Sequence, residues 1–352
     1  MDDTRFVQEI RMQPAALRNV TDYYAGNEGA LLLSECTDLI LSKRKLVFTG
    51  MGTSLYAPYL ILKELDGIVH SIEIRDAGEL LHFGLHGLHD DSVLVAVSQS
   101  GESAETKKVV ETMSGKVPII SIVNNTESFI GRNADILLPL HAGEEVSIST
   151  KSYSNTLAVL LLLSSHIRND TMSYVFKSLL DTAGVMEQTL DETHVLAKQT
   201  AEFFDGINNL HIVSRGTDLV TARQCALILK EGAGLFSEAL SAGLFRHGPI
   251  ELSGYGHAVM FFVSQGNKPK LTTQLALETN ESGSKVLLVS DIKGKSNKQS
   301  STFMVTHIDC RLSRYFSLSC APFIEFFVYE AAKLIGKEAG IFNHATKITS
   351  RE

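Results

Sequence analysis

The sequence has no segment that reads as a membrane span or an export signal. Its longest apolar run, Leu157 to Leu163, is far too short to cross a bilayer. The opening residues, Met1-Asp2-Asp3-Thr4-Arg5, lack the basic-then-apolar pattern of a signal peptide, so a cytoplasmic location is expected. Cysteine is scarce: Cys36, Cys225, Cys310 and Cys320 form no Cys-x-x-Cys pair and lie mostly among apolar neighbours, which reads as reduced core residues. Neither a metal site nor a cofactor is expected. Positive charge is also short. The formal net charge is −8 and the only Lys-rich stretch, Lys293 to Lys298, reads as a solvated loop, so nucleic acid is not an expected partner. Nucleotide motifs are missing too, with no Gly-x-x-x-x-Gly-Lys-Ser/Thr and no Gly-x-Gly-x-x-Gly after a strand. Any anion has to be caught locally.

What is present is a pair of hydroxyl-rich turns, Gly52-Thr53-Ser54 and Ser98-Gln99-Ser100-Gly101-Glu102-Ser103. Each follows an apolar run, Lys45 to Gly50 or Ser92 to Val97, that reads as a buried parallel strand, and each precedes an amphipathic helical pattern. Backbone N–H groups and hydroxyls at a helix N-terminus form an uncharged cradle suited to a phosphate dianion, as on a phosphorylated sugar. Ordinary helix capping is the competing reading of one such turn. Two turns, both at strand ends, favour phosphate.

The halves of the chain repeat. Lys45 to Ser54 recurs in outline as Leu210 to Asp218, and Val95 to Gly101 as Phe261 to Gly266, at a near-constant offset. A third strand follows in each half, Pro118 to Val123 and Lys285 to Ser290, before a long apolar helix near Ser152–Ile167 and Phe316–Ile335. Each half is thus a βαβαβ unit, and the expected fold is α/β with two tandem doubly wound parallel sheets carrying helices on both faces. The 352 residues, 44% hydrophobic and 20% charged, leave room for two such globular domains. The expected division is a helical extension over 1–42, a first domain over 43–167, a helical connection over 168–204, a second domain over 205–340 and a tail over 341–352. The second half has no serines matching Ser100 and Ser103, so the phosphate pocket is expected in the first domain only.

These motifs, in order, resemble the sugar isomerase (SIS) family, most closely the isomerase half of glucosamine-6-phosphate synthase and its stand-alone relatives. The resemblance runs over nearly the whole chain. It is carried by Val7-Gln8-Glu9-Ile10-Arg11-Met12-Gln13-Pro14, the two hydroxyl turns, Ser149-Thr150-Lys151, Leu229-Lys230-Glu231 and His247-Gly248-Pro249. It implies that Ser54, Ser98, Gln99, Ser100 and Ser103 hold the phosphate of a sugar 6-phosphate, and that Gly52, Thr53, Ser147 and Ser149 face the sugar. It further implies that Glu231 moves a proton between C1 and C2, that His247 helps open the sugar ring from a neighbouring subunit, and that Lys347 lies on a tail reaching over the site. A homodimer with a shared site follows. Beside the resemblance, Leu229 and Leu235 are expected to bury the Glu231 carboxylate in part and move its pKa toward working pH.

Two departures narrow the expected reaction. The synthase has a glutaminase domain with a terminal cysteine nucleophile, whereas here Asp2 follows Met1, so ammonia from glutamine is not expected. The synthase also carries a lysine three residues before the base, where this chain has Ile228. Expected, then, is proton transfer on an amino-sugar 6-phosphate or sugar–amine 6-phosphate, of the glucosamine-6-phosphate isomerase/deaminase type. A fructosamine-6-phosphate deglycase and a non-catalytic phosphosugar-binding regulator are the alternatives; retention of both Glu231 and His247 favours an enzyme.

Overall fold

The computed structural model describes residues 3–292, 300–342, 344, 346, 347 and 349. The Lys293 to Lys298 stretch, together with Ala345 and Ile348 of the tail motif, lies outside the described residues. The chain divides into two units, one of Gln13–Glu145, Lys151–Asp181 and Asn343–Glu352, the other of Met1–Met12, Val146–Thr150 and Thr182–Phe342.

The first unit is built on five strands, β1 (Lys45–Gly50), β2 (Ser71–Asp76), β3 (Ser92–Ser98), β4 (Ile119–Val123) and β5 (Ile136–Pro139). All pair in parallel, in the order β2-β1-β3-β4-β5. Every residue of β3 and β4 is buried, which requires cover on both faces and explains their unbroken apolar sequence. One face packs Val47, Leu94, Ala96 and Ile119 against Val109, Val110 and Ile130. The helix Lys151–Ile167 is buried at nearly every position, as its run of leucines foretells.

The second unit repeats this winding. Its strands are β6 (Asn209–Ser214), β7 (Phe236–Ser241), β8 (Ala258–Val263), β9 (Lys285–Ser290) and β10 (Phe303–His307), parallel throughout, in the order β10-β9-β8-β6-β7. In both sheets the first strand lies between the second and third, so the chain turns in opposite directions on its two sides and leaves a crevice beyond the carboxyl ends there.

The repeat expected from the sequence is therefore present, as five strands per sheet rather than three. The three strands legible in each half are the central ones. The missed strands flank them: β2 is half-buried throughout, and β7 and β10 are buried only at scattered positions, so none presents a continuous apolar run. The expected N-terminal helical stretch is three helices, Arg5–Arg11, Gln13–Ala25 and Asn27–Ser42, and the expected helical connection contains the single helix Met172–Phe203.

At the amino ends of the second sheet two buried imidazoles bond to one another. His211 Nδ1 lies 2.9 Å from His257 Nε2, His257 Nδ1 lies 2.9 Å from Ser284 Oγ, and His211 Nε2 lies 3.4 Å from the Glu238 carboxylate. Burial, then the neighbouring His211, pushes His257 down from 6.5 to about 4; burial also lowers His211, against the pull of Glu238. A lowered folded-state pKa means that the neutral rings favour the fold at neutral pH, and that this contribution is lost as pH falls from 6.5 through about 4. The His257 part amounts to roughly 3 kcal/mol at most. Thermal melts across that window should show a shallower loss of Tm for His257→Gln than for the parent; equal slopes would remove His257 as the cause.

Candidate active site

The two hydroxyl turns meet at the crevice of the first sheet. A Cβ on Gly50, the last residue of β1, would lie 2.7 Å from the Val97 carbonyl oxygen and 3.0 Å from Ser54 Cβ, so only glycine lets the turns approach this closely. Gly52 follows at φ +53° and leads into the short helix Thr53–Tyr56. Beyond β3, Gly101 takes φ +66°, and its Cβ position falls 1.8 Å from Ser128 Oγ.

The second turn is held by its own groups and leaves hydroxyls unspent. Ser98 is buried, and its Oγ accepts from the Gly101 N–H at 3.1 Å. Ser100 Oγ accepts from the Glu102 N–H at 3.2 Å. Glu102, which the sequence placed in the motif without a role, ties the turn to the next loop: its carboxylate accepts from the Phe129 N–H at 2.6 Å and from Lys107 Nζ at 3.2 Å. The Phe129 bond is the main reason that this carboxyl is held below its usual range. Ser103 occupies the N-cap of the helix Ala104–Met113 yet makes no side-chain cap bond, and its Oγ stands 3.4 Å from Ser98 Oγ. A helix N-terminus without a side-chain cap, flanked by two paired hydroxyls, has the dipole and donors that favour an anion. Ser54, Gln99 and Ser100 are all half-buried in the same unit.

The tail lies across this turn. The Thr349 carbonyl accepts the Ala104 N–H at 3.1 Å, and Lys347 Nζ donates to the Glu145 carboxylate at 2.9 Å. Glu145 also accepts the Ser152 N–H at 3.0 Å and the Ser152 hydroxyl at 2.6 Å. Burial pushes its pKa up, but the Lys347 ammonium and the Ser152 bonds outweigh it and hold the carboxyl below its ordinary value. Lys347 is thus a paired cation, and Glu145, which the sequence reading did not single out, is its counter-charge.

At the matching place in the second sheet a carboxylate fills the space. Gly216 takes φ +59°, and two residues later the buried Asp218 accepts the Ser264 N–H, the Ser264 hydroxyl and the Asn267 amide, each at 2.8 Å. Burial raises Asp218 to about 7. The Ser264 and Asn267 donors at this place are thus satisfied by the chain's own acid.

The second unit carries the remaining candidates. Glu231 sits on a single π-helical turn, Leu229–Ala233, that ends the helix Leu219–Ile228 and is closed by Gly234 at φ +66°. The expected partial burial of its carboxylate is not found. Leu229, Gly232 and Ala233 face the core, Leu235 is half-buried, and Glu231 is exposed on the opposite side of the turn. His247 is exposed at the C-cap of the helix Ala242–Arg246, before Gly248 at φ +136° and the turn Pro249–Leu252. Ile228 is fully buried among core residues. Ser147 is buried with its hydroxyl bonded to the Glu9 carboxylate, while Ser149 is half-buried. Among the described residues no group of three or more His, Cys, Asp or Glu could hold a metal ion.

Residues 39–165 match the family model for the SIS domain. Glutamine–fructose-6-phosphate aminotransferase (isomerizing) of Sulfurisphaera tokodaii is 26% identical over 329 residues, 93% of this chain and 53% of that protein. The chain spans about half the length of the curated relatives it matches. Among solved structures, the C-terminal domain of glucosamine-fructose-6-phosphate aminotransferase from Francisella tularensis superposes with a TM-score of 0.86 at 19% identity, covering 97% of this chain and 99% of that one. A glucosamine-6-phosphate deaminase from Thermotoga maritima gives 0.76 at 18% identity, covering 98% and 99%. At these identities the structures establish the fold.

The close approach at Gly101 yields a direct comparison. Gly115 has a similar φ, +72°, but open space around its Cβ position. Gly115→Ala should cost about 1 kcal/mol from backbone strain alone, and Gly101→Ala about 2 kcal/mol or more because Ser128 must also move. Equal losses in denaturant melts would contradict the packing described for the second hydroxyl turn.

Proposed function

From a chain whose residues 39–165 are a SIS domain, we propose a phosphosugar-processing enzyme that transfers a proton between C1 and C2 of an amino-sugar 6-phosphate or sugar–amine 6-phosphate. The observation that carries this reading is the pair of hydroxyl turns at the carboxyl ends of β1 and β3, with Ser103 at a helix N-cap, its side chain bonded to Ser98 and not spent on capping. Ser54, Ser98, Gln99, Ser100 and Ser103, with the N–H groups at the helix start, take the phosphate. Gly52, Thr53 and Ser149 face the sugar, and Ser147 contributes through the backbone that its bond to Glu9 fixes.

Glu231 is the base, and its exposure lets a substrate carbon acid reach it; a π turn is a form often found at functional positions. His247 assists ring opening, and Lys347, paired with Glu145, belongs to the tail that closes over the site. His247 serves a second copy of the chain. Leu244, Leu252 and Tyr255 beside it are 62%, 61% and 105% exposed, an apolar surface that a homodimer would cover. Deamination of glucosamine 6-phosphate is the preferred reaction, supported by the likeness to the Thermotoga maritima deaminase over 98% of the chain.

One set of preparations tests these roles. The parent and two variants, Ser98→Ala/Ser100→Ala and Glu231→Gln, are incubated with glucosamine 6-phosphate, fructose 6-phosphate plus ammonia, and several fructosamine 6-phosphates. The double serine variant should bind sugar 6-phosphate about a hundredfold more weakly or worse, since each charge-assisted bond is worth roughly 1.5–3 kcal/mol. Glu231→Gln should bind normally while turnover falls by about 10²–10⁴-fold. Release of free amine only from fructosamine 6-phosphates would favour the deglycase. Unchanged binding by the serine variant would sink the cradle, and a fully active monomer on sedimentation would sink the dimer.

A further inference from the structure

His247 caps a helix of only five residues, Ala242–Arg246, too short to hold its own position. What seats this helix is Phe245, fully buried two residues before His247, whose ring meets both imidazoles at the amino ends of the second sheet. It lies parallel to His257 within 7°, with ring centroids 6.3 Å apart, and edge-on to His211 at 5.8 Å. Arg246 also pairs with Glu278 at 2.6 Å, but at the surface, where such a pair adds little. Beyond His247 the chain returns to the same rings: Gly254 donates its N–H to Ser284 Oγ at 3.2 Å, and His257 Nδ1 lies 2.9 Å from that oxygen. Between these ends Ile250 packs on the core that contains Phe245. All of these residues belong to one unit.

The contacts run in one consistent direction. Glu238 as a carboxylate can only accept, so His211 Nε2 carries the proton of their 3.4 Å contact and His211 Nδ1 is left as an acceptor. His257 Nε2 then donates across 2.9 Å to His211, and its Nδ1 accepts from the Ser284 hydroxyl, which itself accepts from Gly254. One line of bonds thus crosses the edge of the sheet, from β7 to the residue before β9, and ends on the backbone of the segment that carries His247.

We propose that His257 is a positioning residue for His247: with His211 and Ser284 it clasps Phe245 at one end of the segment 245–257 and Gly254 at the other, and so fixes the direction in which the exposed His247 is presented. The proposal rests on His247 assisting ring opening. An exposed segment containing Gly248 at φ +136° and Gly254 at φ +156° has a backbone with wide freedom, and two fixed ends remove most of it. A group displaced by about 1 Å loses much of its effect with no change to itself.

The substrate separates aim from general damage. Glucosamine 6-phosphate must be opened before its C2 proton can move, whereas its 5-deoxy analogue lacks the hydroxyl that closes the ring. In His257→Gln that still melts cooperatively, the amides of 245–257 should exchange faster with solvent. Exchange of the C2 proton with solvent deuterium should fall roughly 10-fold to 10²-fold for glucosamine 6-phosphate and stay within about threefold for the analogue. Ser284→Ala removes the acceptor of Gly254 and one partner of His257, and should act in the same direction more weakly. Equal losses on both compounds, or parental rates on both, would overturn the proposal, as would amides of 245–257 that exchange at the parent rate. If His257→Gln does not fold, Ser284→Ala decides, and parental values in both readouts would overturn it. Should the parent exchange neither compound, or His247→Ala slow both alike, the ring-opening assignment falls and the positioning role with it. A His247→Ala variant that slows only glucosamine 6-phosphate, beside an unaltered His257→Gln, overturns the positioning role alone.

Discussion

A dianion held at the edge of a sheet must be met by oriented dipoles that cannot turn away, and in this chain the strand order sets where those dipoles gather. With β1 between β2 and β3, the turns after β1 and β3 leave the sheet side by side, and helix starts and hydroxyls converge on one crevice. That convergence requires the backbones to approach more closely than a side chain permits. Gly50 at the end of β1 and Gly101 beyond β3 meet that demand, one against the Val97 carbonyl and the other against Ser128. Glu102 then fixes the second turn to the loop after β4, so the hydroxyls of Ser98 and Ser103 are presented by a rigid frame.

The second sheet has the same winding and a different outcome. The position that follows the threonine of the turn is Ser54 in the first half and Asp218 in the second. One added carboxylate collects the Ser264 and Asn267 donors and remains buried, with burial raising its pKa to about 7. The repeated winding thus ends in a hydroxyl-lined crevice in one half and in one occupied by a carboxylate in the other. The second half carries Glu231 and His247, both on short turns followed by glycine at positive φ.

Much of this was legible because parallel sheets write their central strands as continuous apolar runs. The runs at β1, β3, β4, β6, β8 and β9 stood out, as did the repeat that links them. Edge strands such as β2 and β7 were not legible, because a half-buried strand mixes Glu, Arg and Ser with its apolar residues. The hydroxyl turns carried their own signal, glycine and serine at strand ends. What sequence could not give was long-range pairing: Glu9 with Ser147, Glu145 with Lys347, and the outward face of Glu231 each depend on which segments the fold brings together. Local apolar neighbours predicted a partly buried Glu231, and a π turn, which rotates the face of a helix, placed it in solvent. Asp218 did leave a trace, an acid where the first half has serine, visible only when the two halves are compared position by position.

The central claim is that the turns after β1 and β3 receive phosphate while their counterparts in the second half do not. It is tested most directly by following backbone amide resonances during titration with a sugar 6-phosphate. The account predicts that the amides of Ser54, Leu55 and Gly101 through Ala104 shift together along one saturating curve, with Thr217, Ser264 and Asn267 unmoved. Shifts centred on Ser264 and Asn267, or saturation without movement at Gly101 through Ala104, would contradict it.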